Sequence, residues 1–218
     1  MTNKRKVRLP IPDNTVLPLV CTLVLQCLVY LGSKLLMAGA YHYNFETAWD
    51  LAIPFLPWTV SIYVGSFLYW VISFLLILRS GTENAFRFLC AHCIALLIAL
   101  GFFLLLPTTN TRPQIEGGGL WNWGMKLIYA LDTPDNLFPS LHCELSWLCF
   151  LGLKKAENVP TGGKRLALIF SLLVFVSTLT TKQHILFDVF GGWLIAEVSF
   201  RLCGSKKIAR LFYRVFDR

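Results

Sequence analysis

Six long runs of hydrophobic residues, separated by shorter polar segments, dominate the pattern of the chain. Each run has roughly 20 residues, the length that an α-helix needs to cross a bilayer core of about 30 Å. The pattern therefore predicts an all-α polytopic membrane protein with six transmembrane helices in one bundle. The predicted helices cover residues 16–40, 58–78, 86–106, 139–155, 166–181 and 184–203.

The first hydrophobic run follows a basic segment, as the core of a signal peptide does. It is longer than the 7–15 residues or so of such a core, so we expect it to be retained as the first membrane helix. The whole of 1–218 is then a single membrane-embedded domain with basic tails at 1–14 and 204–218.

The segment between the third and fourth predicted helices is the longest that is not apolar, at 108–137. Within it, 121–131 combines tryptophans and aliphatic residues with Lys126. This composition is typical of a short amphipathic helix along the membrane surface. We expect such an interfacial helix to lie between helices three and four.

The amino-acid composition favours a membrane rather than nucleic acid as the partner. The chain is 56% hydrophobic and 15% charged, whereas soluble domains carry about 25% charged residues. Its net charge of +8 is better explained by basic loops on the cytoplasmic side of a membrane than by nucleic-acid binding. The seven cysteines form neither a disulfide framework nor a zinc-binding pattern. We therefore expect a membrane partner, no nucleic acid, no metal and no cofactor.

The distribution of basic residues predicts the orientation. Most of the 20 Lys and Arg residues fall on one side of the membrane when the N-terminus is placed in the cytoplasm, which is the arrangement that membrane proteins favour. Both termini are then cytoplasmic. The outer face carries Arg112, His142, Lys182, His184 and Asp188. Because the chain is short, we expect the membrane to be that of a bacterial cell; the oligomeric state stays open.

Two segments of this outer face carry candidate chemistry. His184 and Asp188 are four residues apart at the start of the sixth helix, so they share one helix face. A carboxylate in that position can fix the imidazole tautomer and raise its basicity. Pro139 is predicted at the first position of the fourth helix. Ser140 and His142 would then lie in the first turn, where backbone N–H groups attract anions.

Arg112 and Lys182 are cations on the outer side of the membrane, which usually has few Lys and Arg residues. Guanidinium and ammonium groups bind phosphate oxygens. With two histidines nearby, one imidazole can attack phosphorus while the other protonates the leaving oxygen. These residues predict metal-independent phosphoryl transfer on a lipid phosphate, outside the cytoplasm.

The motifs, taken in order, resemble the signature of the type 2 phosphatidic acid phosphatase superfamily of membrane lipid phosphatases and phosphotransferases. That signature is K-x6-R-P, then P-S-G-H, then S-R-x5-H-x3-D. The matching positions are Arg112-Pro113, Pro139-Ser140-Leu141-His142, and Ser177, His184 and Asp188.

The resemblance implies a role for each matched residue. His184 would be the nucleophile that forms a phosphohistidine, Asp188 would orient and activate it, and His142 would be the general acid for the leaving alcohol. Arg112 and the backbone around Ser140 would bind phosphate.

The chain departs from the signature at three positions. Leu105, Thr178 and Leu141 stand where the family has lysine, arginine and glycine. The predicted anion site therefore has fewer cations than the family pattern. We expect Lys182, next but one to the predicted nucleophile, to supply part of the missing charge.

The leading hypothesis is hydrolysis of a lipid phosphate such as phosphatidic acid, phosphatidylglycerol phosphate or a polyprenyl diphosphate. The P-S-L-H form is also similar to the branch that transfers phospholipid head groups to sphingolipids or inositol lipids, and this alternative stays open. A non-catalytic lipid-binding or transport module is disfavoured by the intact histidines. A zinc enzyme is disfavoured because His142 and Glu144 are two residues apart and point different ways on a helix.

Overall fold

The computed structural model describes residues 11–205 together with Ile208 and Phe212. Most of these residues are helical, which confirms the predominantly α-helical prediction. The basic residues of the predicted tails at 1–14 and 204–218 lie outside the described residues, so those two segments remain sequence predictions.

The described helices follow the predicted runs closely. They are α1 (Val16–Cys27), α2 (Ser33–Leu36), α3 (Ala48–Ala52), α4 (Val60–Leu78), α5 (Thr82–Leu105), α6 (Leu120–Leu131), α7 (Leu141–Lys155), α8 (Thr161–Thr180) and α9 (Leu186–Leu202). A π-helical turn, Leu28–Gly32, joins α1 to α2. The first predicted helix therefore contains one wide turn, and it ends at Leu36 rather than at residue 40.

Four helical segments in the described part of the chain are long and apolar enough to cross a membrane. They are Asp13–Leu36, Pro57–Leu78, Thr82–Leu105 and Thr161–Thr180. This finding supports the prediction of a membrane protein. Helix α7 has 15 residues and α9 has 17, fewer than the roughly 20 of a typical span. The count of six spans therefore stays a prediction, as does the interfacial position of α6.

Helix α7 occupies the centre of the bundle. It packs against α4, α5, α8 and α9, and most of its side chains are buried. Its N-terminal turn consequently lies where several helices converge, which is a suitable place for residues that come from distant parts of the sequence.

The start of α7 differs from the prediction in detail. Pro139 is not the first helical residue: the helix begins at Leu141, and Ser140 is the N-cap. The Ser140 hydroxyl accepts a hydrogen bond from the Cys143 N–H at 3.3 Å, which is how serine satisfies a free N–H at a helix start. His142 nevertheless lies in the first turn, as predicted.

Two adjacent glycines of α9 allow it to approach the start of α7. A methyl group at Gly192 would overlap the Ser140 carbonyl oxygen and lie 3.1 Å from the Glu144 nitrogen. A methyl group at Gly191 would overlap the ring of Phe138. Only residues without a Cβ permit this separation, so the glycine pair determines how closely the α9 and α7 ends of the site come together.

The loops at this end of the bundle are tied together by the backbone. Two-residue strands β1 (Tyr43–Asn44) and β2 (Thr108–Thr109) pair in parallel. Thr108 also accepts two hydrogen bonds from the segment before α7, from the N–H of Phe138 to its hydroxyl at 2.7 Å and from the N–H of Leu137 to its carbonyl at 3.3 Å. The loop that carries Arg112 is thereby fixed beside the start of α7.

Candidate active site

His184 and Asp188 form a hydrogen-bonded pair at the turn between α8 and α9. His184 is not in the predicted helix, because α9 begins two residues later, at Leu186. Its backbone N–H donates to the Thr178 carbonyl at 3.1 Å. The Asp188 carboxylate accepts the N–H of Ile185 at 3.0 Å and lies 3.3 Å from Nδ1 of His184. Because an ionised carboxylate only accepts, this contact favours the tautomer of a neutral His184 ring that has its proton on Nδ1 and its lone pair on Nε2.

His142 faces this pair from the first turn of α7. Its ring stacks on Tyr63 with 4.3 Å between centroids, and the Tyr63 hydroxyl lies 3.4 Å from its Nδ1. Trp70 packs beside it, with 5.2 Å between the ring centroids. Nε2 of His142 is buried and has no hydrogen-bond partner within residues 11–205. The centroids of the His142 and His184 rings are 6.3 Å apart, so the two imidazoles are close enough to act on one substrate group.

Both histidines line a small cavity of about 30 Å³. The other lining residues are Tyr30, Phe103, Asp132, Asp135, Asn136, Leu137, Pro139 and Leu141. A second cavity of about 350 Å³ lies between α1, α4 and α6, and it shares Tyr30, Asp132, Leu141 and His142 with the first. Its remaining lining is largely apolar. Two cavities therefore meet at His142, and the smaller one has more polar side chains in its lining.

Ser140 contributes to the site mainly through its position. Its N–H donates to the Asp188 carbonyl at 3.1 Å, which links the start of α7 to α9. That N–H is consequently not available to a phosphate. Any backbone contribution to anion binding must come from the following N–H groups of the first turn, which an α-helix leaves without intrahelical partners.

Arg112 bonds to the residue before His184 but has no bond to His142 or His184. It donates to the carbonyl of Asp132 and, at 2.6 Å, to the side-chain oxygen of Gln183, the residue before His184. Its guanidinium lies 4.6 Å from the centre of the Tyr129 ring. Burial lowers the pKa of Arg112 below its ordinary value, but a guanidinium remains charged at neutral pH.

The side chain of Lys182 bonds to the segment around Asp50. Its ammonium donates to the backbone carbonyl of Asp50 at 2.7 Å, and its backbone adopts a left-handed conformation with φ 54°. The structure gives Lys182 no contact with His142 or His184. Its expected role as a substitute cation is therefore not supported by its contacts.

Lys34 is the cation that sequence reasoning missed. It donates to the Asp132 carboxylate at 2.6 Å, where Tyr30 also donates at 2.6 Å. Burial alone would raise the pKa of Asp132, but the bonds from Lys34 and Tyr30 outweigh burial and hold that pKa below 3.8. Leu105, at the position of the family lysine, is 85% exposed. A different helix thus places an ammonium at the edge of the site.

Glu144 also has a partner that the sequence did not indicate. It is fully buried on α7, and its carboxylate lies 3.1 Å from Nδ1 of the buried His92 on α5. The second nitrogen of His92 is 3.3 Å from the side-chain oxygen of Gln26. Glu144 is therefore directed away from His142, as the helical spacing predicted. In the part of the chain that the structure describes, no three His, Cys, Asp or Glu side chains are grouped so that they could hold a metal ion.

Comparison with known proteins provides an independent line of evidence. The model of a family described as PAP2 superfamily matches residues 40–202. No curated protein and no solved structure matches the chain. The matched range includes both histidines of the site and Asp188, whereas Tyr30 and Lys34 precede it.

Proposed function

The chain belongs to the PAP2 superfamily, and from this premise we propose that it hydrolyses a lipid phosphate without a metal ion, through a phosphohistidine at His184. Membership in the family supports phosphatase-type chemistry on lipid phosphates in general. The single observation that carries the specific proposal is the hydrogen-bonded His184–Asp188 pair, which faces His142 at 6.3 Å between ring centroids.

The proposed first step is attack on phosphorus by Nε2 of His184. The bond between phosphorus and the ester oxygen breaks, and that oxygen takes a proton from His142 as the alcohol leaves. Asp188 keeps the proton on Nδ1 and stabilises the positive charge that develops on the ring. In the second step His142 accepts a proton from water, which attacks phosphorus and releases phosphate and free His184.

A lipid is the substrate class that the cavities favour. The larger cavity of about 350 Å³ has apolar walls from three helices and opens toward His142. An acyl or prenyl chain in it would bury apolar surface and leave the phosphate beside the two histidines. The membrane-length apolar helices would present this cavity to lipid molecules directly. We propose that the site faces the outer side of the membrane, as the basic residues predict.

Transfer of a phospholipid head group to a lipid hydroxyl is the second candidate. It is favoured by the low positive charge of the site: Leu105 and Thr178 carry no charge, and Lys34 is paired with Asp132. A phosphodiester has one negative charge, whereas a phosphomonoester approaches two at neutral pH. A site with few cations therefore suits a diester better. The two histidines would act in the same way, with an acceptor hydroxyl in place of water.

The test is phosphate release from phosphatidic acid by purified protein in excess EDTA. We expect turnover in the wild type and none above background in His184→Ala. Loss of wild-type activity with EDTA would point to metal-dependent chemistry, and normal turnover by His184→Ala would refute the mechanism. A parallel assay with a phospholipid donor and a diacylglycerol or ceramide acceptor separates the candidates, since a transferase makes a new lipid and little free phosphate.

A further inference from the structure

Asn136 is an unexplained polar residue in the small cavity. It lines the cavity together with His142 and His184, and the residue is only 7% exposed. Neither its side-chain oxygen nor its side-chain nitrogen has a hydrogen-bond partner in the described part of the protein. Buried side-chain amides almost always have partners in folded proteins. An amide that lines a cavity without one indicates that a polar ligand completes its hydrogen bonds.

The surroundings indicate what kind of ligand this is. Nε2 of His142 is also buried without a partner. The side-chain nitrogens of Asn136 and His142 therefore both line the cavity without a hydrogen-bond partner. The nearby Asp132 carboxylate already accepts from Tyr30 and Lys34. A group with several oxygens that accept hydrogen bonds, such as a phosphoryl group, satisfies both nitrogens at once.

We propose that the Asn136 amide donates a hydrogen bond to a non-bridging oxygen of the phosphoryl group while that group lies between His184 and the leaving oxygen. This inference rests on the proposed function. It assigns to a neutral donor part of the role that charged residues would have at positions 105 and 178, where this chain has leucine and threonine. A preorganised donor of this kind stabilises charge that develops in the transition state.

Asn136 also has a backbone role that the test must separate from this one. Its φ is 54°, and asparagine adopts that left-handed conformation more easily than most residues. Glycine adopts it readily too. Asn136→Gly therefore keeps the turn and removes only the amide, whereas Asn136→Asp keeps the shape and replaces a donor by a carboxylate that repels phosphate. Asn158, exposed and bonded through its side chain to the Leu76 carbonyl, provides a matched Asn→Gly control away from the site.

The experiment measures kcat/KM for phosphatidic acid and the affinity of orthovanadate, an analogue of the phosphoryl transition state, by titration calorimetry on detergent-solubilised protein. We expect both to fall at least tenfold in Asn136→Gly, more in Asn136→Asp, and not in Asn158→Gly. A tenfold loss corresponds to about 1.4 kcal/mol, in the range of one hydrogen bond to a charged group. Thermal unfolding of each variant verifies that it is folded. Should the glycine variant not fold, unchanged vanadate affinity in Asn136→Asp overturns the inference.

The outcomes distinguish this inference from the function on which it rests. If the wild type turns over and binds vanadate while both Asn136 variants behave like Asn158→Gly, Asn136 has only its turn role and the inference is overturned. If the wild type neither turns over nor binds vanadate, the proposed function and the inference fail together. Weakened vanadate binding in both Asn136 variants supports the inference. If Asn136 only shaped the turn, Asn136→Gly would keep the turn and bind vanadate as the wild type does.

Discussion

Replacement of Gly192 by alanine should disturb both the packing of the bundle and the geometry of the site. The added methyl group would come within 3.0 Å of the Ser140 carbonyl, closer than real Cβ atoms come, whereas ordinary contacts begin at 3.4 Å. The obstacle is backbone rather than a flexible side chain, so α9 must move away from the start of α7 by several tenths of an ångström or more. Such overpacking lowers the free energy of unfolding by about 1–3 kcal/mol. The higher helix propensity of alanine offsets about 1 kcal/mol of this loss.

The consequence for activity should exceed the consequence for stability. His184 and Asp188 lie on the α9 side of this contact and His142 lies on the α7 side, so the movement changes the distance between the two rings. A misplacement of about 1 Å can reduce turnover roughly 10²-fold. Each loss of 1 kcal/mol in the free energy of unfolding lowers the unfolding temperature by about 2–4 °C in a protein of this size.

Gly101→Ala in α5 is the matched control, because its added methyl group meets nothing within 4 Å. The assay is thermal unfolding together with phosphate release from phosphatidic acid. We expect Gly192→Ala to unfold several degrees lower and to lose most of its turnover. Gly101→Ala should retain its turnover and unfold no lower than the wild type. If the two variants prove indistinguishable in stability and rate, the close approach of α9 to α7 does not position the site.

Two further substitutions test the electrostatics of the site. Asp188→Asn should slow turnover by roughly 10²–10⁴-fold, because a neutral amide does not stabilise a charged His184 ring. The unfolding temperature should change little, since the amide oxygen can still accept the hydrogen bond at the start of α9. A kcat within twofold of the wild type would contradict the activating role of Asp188. Lys34→Met should destabilise the protein by about 1.5–3 kcal/mol and raise the pKa of Asp132. Since that pKa is lowered in the fold, the Asp132 carboxylate stabilises the protein above pH 3.8 and its contribution is lost as the pH falls through the folded value. A folded pKa closer to the unfolded one leaves less stability to lose, so the unfolding temperature should fall less between pH 7 and pH 3 in Lys34→Met than in the wild type.

The helices could be predicted from sequence because long apolar runs have few alternatives in a membrane. The ends of the helices depend on local hydrogen bonds, and these explain the errors. Leu141 rather than Pro139 begins α7, because the Ser140 hydroxyl caps the helix. At the start of α9 the Asp188 carboxylate, in the first turn, accepts the N–H of the N-cap residue Ile185, which leaves His184 before the helix. Its contact with Asp188 persists because the two residues still lie at one helix start.

Long cations could not be placed from sequence. Lys34 and Lys182 each have a side chain of several ångströms whose direction is decided by which acceptor the folded chain presents. Lys182 lies two residues from His184 in sequence but bonds to the Asp50 carbonyl. Lys34 is distant in sequence and reaches Asp132. Asn136 was missed for another reason: a polar residue in a loop before a helix is common, and only its burial without a partner marks it.

The wide turn Leu28–Gly32 has a consequence for how such a site could vary. A π-helical turn contains one residue more than the α-helical ladder requires, so deletion of one residue there would rotate Ser33–Leu36 by about 100° around the helix axis relative to α1. Lys34 would turn away from Asp132, while the motifs within residues 40–202 would remain unchanged. The charge at the edge of the site is thus controlled from outside the segment that defines the family. Change in a single helical register could alter which phosphates are accepted without altering any residue of the motifs.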